Sequence, residues 1–161
     1  MYRSGFTIVP ERPDAAYDDL LATFEQRLRT ADARNMVNDG KELRFTGGIF
    51  RLSALGSWNL LAVIGKGGIS IDRQANRVTY WLSFAQLVIV GILMIGLLDT
   101  CMALGGKIPL PGICAVSPFF FLWAVGMNYL IALARFDRFM KRCIREAGFA
   151  IQARKKEVVS S

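Results

Sequence analysis

Two stretches of this chain lack the mixture of polar and apolar positions that a water-facing element shows. Residues 78–98 carry no charge, and neither do residues 108–134. A helix needs about 20 mostly apolar residues to cross a hydrocarbon core about 30 Å thick. Residues 84–104, FAQLVIVGILMIGLLDTCMAL, form such a run with Asp99 as their one charge, and at 1.5 Å per residue they reach about 31 Å. The second run predicts a span over 118–136. Ser117 there is a suitable N-cap, and Pro118 takes the first helical position, where its missing N–H costs nothing. Between the spans, residues 105–117 contain Gly105, Gly106, Pro109, Pro111 and Gly112. They predict an irregular apolar loop, lying in the far interface or against another protein.

Before the first span the pattern is that of a small soluble layer pair. Tyr17, Leu20, Leu21, Phe24 and Leu28 recur at helical spacing. Pro13 and the acids Asp14, Asp18 and Asp19 suit the opening turns, so a helix is predicted over 14–31. Asn38-Asp39-Gly40 is a turn. Leu43 and Phe45 then alternate as in a strand, with Ile49 to Leu52 continuing past a bulge. Trp58, Leu60, Ala62 and Ile64 read as a second strand. Ile69 with Ile71, and Val78, Tyr80 with Leu82, read as two more across the DRQAN turn. The expected fold class is therefore a membrane protein: a two-helix transmembrane hairpin preceded by a cytosolic α+β domain over 1–80, with one helix and three to four antiparallel strands. After the second span, Leu133, Phe136, Met140, Ile144 and Ala147 share a helical face. This predicts a basic amphipathic tail over 137–161, either prolonging the span or lying in the interface.

Composition sharpens this picture through the placement of charge. The 161 residues carry a net charge of +7. Residues 1–80 hold eleven Lys/Arg against nine Asp/Glu, whereas 135–161 hold eight against three. The basic excess thus sits just beyond an apolar span, which favours anionic lipid over nucleic acid as its partner. Lys66, Arg73 and Arg77 precede the first span, Arg135, Arg138, Lys141, Arg142 and Arg145 follow the second, and the loop holds only Lys107. The positive-inside rule then puts both termini in the cytoplasm of an inner (plasma) membrane. Tyr80, Trp81 and Phe84 are expected to form an aromatic belt on that side. The N-terminal segment has no apolar core of a cleaved signal, so the first span is expected to act as its own insertion signal.

Chemistry is sparse. The chain has no His, which removes the commonest general base and metal ligand together. Cys101, Cys114 and Cys143 have no metal-ligand spacing. Gly65-Lys66-Gly67-Gly68 lacks the remainder of a phosphate loop and is expected to be a turn. No enzyme activity, cofactor or metal is expected. Asp99 is a candidate ion or proton site, though its shallow depth favours an interfacial carboxylate near Lys107. Ala124, Asn128 and Ala132 form a small–polar–small stripe for helix packing, directed at the first span near Gly91 or at a partner; Gln86 and Trp123 are further candidates for such contact. Arg135, Arg138, Lys141, Arg142 and Arg145 are the candidate lipid-headgroup contacts. Cys101 and Cys114 fall near the far surface and are expected to be free thiols. The functional expectation is an accessory, anchoring or assembly subunit of a larger inner-membrane complex, with other integral membrane proteins as partners. The alternatives are a homo-oligomeric channel or transporter subunit and a lipid-sensing module.

Overall fold

The computed structural model describes residues 1–11, 16–47, 61, 63–104 and 110–152. Among these, six strands and three helices follow one another. They are β1 (Tyr2–Pro10), α1 (Tyr17–Thr30), β2 (Arg34–Asn38), β3 (Glu42–Thr46), β4 (Lys66–Asp72), β5 (Arg77–Ser83), α2 (Ala85–Leu104), α3 (Leu110–Glu146) and β6 (Phe149–Gln152). The strands form a single antiparallel sheet in the order β2-β3-β4-β5-β1-β6.

One face of the sheet is apolar because the period-2 pattern places it there. In β5, Val78, Tyr80 and Leu82 are buried, while Thr79, Trp81 and Ser83 alternate on the other face and are only partly covered. Leu43 and Phe45 of β3, Ile69 and Ile71 of β4 and Ile8 of β1 complete the buried face. A side chain at Gly67 would collide with Phe45, whose Cζ lies 2.5 Å from the position a Cβ would take. The absence of a Cβ there lets the Phe45 ring lie flat on the strand.

Two helices cover this face. Helix α1 turns Leu20, Leu21, Phe24 and Leu28 inward, the stripe its spacing predicts. The other cover is the last third of α3, through Ala132, Phe136, Met140, Cys143 and Ile144. Phe136 has no exposed surface and lies 5.2 Å from Tyr80 and 6.1 Å from Phe45, centroid to centroid. Arg27 of α1 grips Glu146 of α3 bidentately, with both bonds at 3.0 Å. The chain then reverses at Gly148, whose φ of +82° would strain any other residue. Strand β6 returns along β1, pairing Ile151 with Ile8 and Phe149 with Pro10.

Several expectations are corrected. The sheet has six strands, not three or four; β1, β2 and β6 were not predicted. Residues 137–146 are the end of α3 and residues 149–152 a strand, so this part of the predicted 137–161 tail packs with the sheet and α1. The second long helix begins at Leu110, so residues 110–117 are helical and Pro118 lies inside the helix. Pro111 occupies its first turn, where a proline costs little. The predicted aromatic belt is not formed by Tyr80 and Phe84, which are both buried, Tyr80 under Phe136 and Phe84 edge-on to Tyr129 at 4.7 Å. Pro13, Asp14, Ile49 to Leu52, Trp58, Leu60 and Ala62 lie outside the described residues. Ile64 is buried but sits in a turn, its N–H donating to Leu61 at 3.2 Å.

Candidate membrane interface

Helix α2 is apolar on every side, and the described residues leave most of it uncovered. Ile92, Leu93, Met94 and Leu97 are exposed, as are Phe119, Leu122, Trp123 and Leu130 on α3. Only 6% of Ala85–Met102 is buried, and no residue of 117–131 is. A core helix of a soluble protein with this composition would be mostly buried. Both helices are long and apolar enough to cross a membrane.

Three contacts fix how they lie together. The Phe84 and Tyr129 rings meet at the base. Gly91 faces Val125 and Phe121: a Cβ there would lie 2.6 Å from Val125 Cγ2 and 3.0 Å from Phe121 Cε2. Toward the tip, the Ser117 hydroxyl donates to Asp99 Oδ1. Numbers rise along one helix as they fall along the other, so the pair is an antiparallel hairpin. The 20 residues of α2 are matched on α3 by a stretch ending near Tyr129. At 37 residues, α3 is about 55 Å long, well beyond a hydrocarbon core of about 30 Å. Its remaining turns are those that pack on the sheet.

The predicted contact residues separate on inspection. Asn128 Nδ2 donates to the Ala124 carbonyl at 2.7 Å, within its own helix. Gly91 meets Val125 and Phe121 rather than Asn128. Ala132 is buried against the sheet domain, so the 124–128–132 stripe is not one free face. Gln86 lies over Gly65, its Oε1 3.0 Å from the position of a Cβ, at the junction of hairpin and sheet. Trp123 points outward, its ring 5.7 Å from that of Phe120. Asp99 is held by Ser117; Lys107 lies outside the described residues. Comparison with protein-family models, curated proteins and solved structures finds no match to this chain.

The basic residues of α3 form a stripe opposite its buried face. Arg135, Arg138, Arg142 and Arg145 are exposed, at spacings of three, four and three residues. Lys141 pairs with Asp137 at 2.6 Å and sits 5.7 Å from the centroid of the Phe6 ring. The apolar side of this segment is already occupied by the sheet, which leaves none to bury in a membrane interface. Measured along the helix from Tyr129, Arg135 is about 9 Å away and Arg145 about 24 Å. Cys143 is buried beside Arg27 and Glu146, and burial pushes its thiol up to about 12. Cys101 is exposed and free. Among the described residues no three His, Cys, Asp or Glu side chains are grouped to hold a metal.

Proposed function

We propose that this chain is a two-pass protein of an inner (plasma) membrane, acting as a non-catalytic accessory, anchoring or assembly subunit of a larger membrane complex. The uncovered apolar surface of the hairpin carries the reading. Two helices that touch at Phe84–Tyr129, at Gly91 and at Asp99–Ser117 leave most of their circumference bare, and lipid or other membrane helices must cover it. The exposed Phe119, Phe120, Leu122 and Trp123 offer a large aromatic contact of the kind that anchors helix packing. The flanking bases Lys66, Arg73, Arg77 and the Arg135–Arg145 stripe favour the cytoplasmic side for the sheet and both termini.

The alternative, a homo-oligomeric channel, needs polar side chains facing a shared lumen. In the hairpin Asn128 bonds within its own helix and Asp99 accepts from Ser117, so neither is offered outward by its hydrogen bonding. That favours the accessory reading. The deciding experiment is purification from native membranes in mild detergent, followed by native mass spectrometry. A stoichiometric set of different membrane proteins is the expected result. A homo-oligomer without partners would overturn it.

A further inference from the structure

The strands of the sheet have one set of ends at the hairpin and one away from it. Strand β5 enters α2 through a single residue, Phe84, so Ser83 stands at the base of the hairpin. Register carries that level across the sheet. Lys66 is opposite Ser83, Thr46 opposite Lys66 and Arg34 opposite Thr46; on the other side, Arg3 is opposite Trp81 and so stands two residues farther from the hairpin, on the same face. Backbone bonds from Gly65 N to Ser83 O at 2.9 Å and from Gly47 N to Gly65 O at 3.1 Å extend the row past the paired residues. The Gln86 side chain over Gly65 marks where α2 rises from it.

This row carries Arg34 and Lys66, and Arg3 stands about 7 Å farther from the hairpin on the same face. All three are exposed. None has an ion-pair partner among the described residues, and the nearby acid in the chain is Asp32, in the turn before β2. The opposite ends of the strands are different. There Glu11, Asp39, Glu42 and Asp72 mix with Lys41, Arg73 and Arg77. Among the described residues two of these are paired, Glu42 with Arg44 of the same strand and Arg73 with Asp18. Five strands at about 4.8 Å spacing make the row about 19 Å wide. A headgroup layer adds only about 5–7 Å to each side of the hydrocarbon core, and Ser83 is two residues from the start of α2. Lys66 and Arg34 are therefore at headgroup depth and Arg3 about 7 Å beyond them, within the screening length of about 8 Å, while Arg142 and Arg145 stand about 20 Å or more along α3.

We propose that this row of strand ends is a binding surface for anionic phospholipid headgroups, with Arg3, Arg34 and Lys66 as its phosphate contacts. The proposal rests on the hairpin spanning a bilayer. It moves the main lipid contact from the end of α3 to the sheet itself, so the headgroups fix the sheet's tilt as well as its depth.

The test uses the full chain reconstituted in phosphatidylcholine vesicles containing a small fraction of spin-labelled phosphatidylglycerol or spin-labelled phosphatidylcholine. Flotation with the vesicles after an alkaline wash is read first; failure there overturns the hairpin reading rather than this one. The motionally restricted fraction of each label then gives relative lipid association. The expected result is a several-fold preference for phosphatidylglycerol that disappears toward about 1 M salt. Arg3→Gln/Arg34→Gln/Lys66→Gln should lower it by about fivefold or more, whereas Arg142→Gln/Arg145→Gln should leave it. A preference unchanged in the triple variant, abolished in the tail variant, or retained in high salt overturns the proposal. Should the triple variant misfold, Lys66→Gln alone must lower the preference, and no change there overturns it equally.

Discussion

Replacing Gly91 by Ala tests whether the hairpin is held at one close-packed point. The added methyl would lie 2.6 Å from Val125 Cγ2 and 3.0 Å from Phe121 Cε2, well inside the roughly 3.5–4.0 Å optimum for carbon contacts. Val125 cannot readily turn aside, since a valine in a helix keeps one χ1 rotamer about 90% of the time. The helices must separate or shift, at a cost of about 1–3 kcal/mol for overpacking. Gly96 is the internal control. Nothing lies within 4 Å of its Cβ position, so Gly96→Ala should be neutral, or stabilising by less than about 1 kcal/mol through helix propensity. The assay is equilibrium unfolding in mixed micelles of rising denaturing-detergent fraction, followed by circular dichroism. Val125→Ala in the Gly91→Ala background should restore most of the loss, a coupling that a double-mutant cycle measures directly. Equal effects at Gly91 and Gly96, or no rescue by Val125→Ala, would refute the close-packed contact.

Phe136→Ala should cost about 3–5 kcal/mol, because Phe136 is buried between Phe45 and Tyr80; an unchanged melting temperature would contradict that packing. The Cys143 thiol, buried and pushed up to about 12, should resist an aromatic disulfide reagent at pH 8 until the domain is unfolded, and rapid labelling of the native protein would count against it. Stability should fall as pH drops below about 4.5. Glu42 is held below the usual carboxylate range by Arg44 and by Trp81 Nε1–H, Glu25 by Arg29 and Asn38, and Asp39 by the N–H groups of Glu42 and Lys41. The unfolded chain therefore binds protons first, and the stabilisation present above the unfolded value is lost as pH falls through the lower folded values. A melting midpoint that is flat or rises between pH 5 and pH 3 would exclude this.

The parts of the fold legible in the sequence were those whose neighbours are local. Leu20, Leu21, Phe24 and Leu28 announce α1, and the Asp72–Asn76 turn joins two strands that alternate cleanly. Its side-chain geometry follows from its composition: Asp72 Oδ1 accepts from Gln74 and Ala75 N–H, and Asn76 takes a φ of +49°. The apolar run over 84–104, with Asp99 as its one charge, fixes the length of α2 almost to the residue. Strand β2 was hidden because it is an edge strand with Arg34, Asn35, Val37 and Asn38 exposed, leaving no apolar face to detect. In β1 the inward row is Tyr2, Ser4, Phe6 and Ile8, and the serine breaks its pattern. Strand β6 has four residues, and its partner lies some 140 positions earlier, so nothing near it signals pairing. Pro118 misled because proline most often opens a helix, whereas the start here is Leu110, beside Pro111. Among the site residues, Asp99 lies between the helices as its isolation in an apolar run suggests. Its partner is Ser117, whose place before Pro118 suggests a helix cap instead. The cations near the strand ends could not be grouped without the register that aligns Arg34 with Lys66 and puts Arg3 two residues from them on the same face.

The sheet is interrupted by the hairpin rather than followed by it, and this sets an order of events during synthesis. When Ser83 has left the ribosome, β1 to β5 and α1 are present but Phe136, Met140, Ile144 and Phe149 are not. Phe45, Tyr80 and the inner edge of β1 then have no cover. At about 5–20 residues per second, the interval until Phe149 is made lasts about 3 to 13 s. Both apolar helices are produced within it. If the hairpin spans a membrane, as proposed, the half-built layer waits, exposed, while the hairpin is inserted, and only then can the end of α3 descend on the sheet and β6 close it. Completion of the domain thus reports that both helices have been placed. A nascent chain whose hairpin fails to insert carries an open hydrophobic face that proteases and chaperones can recognise.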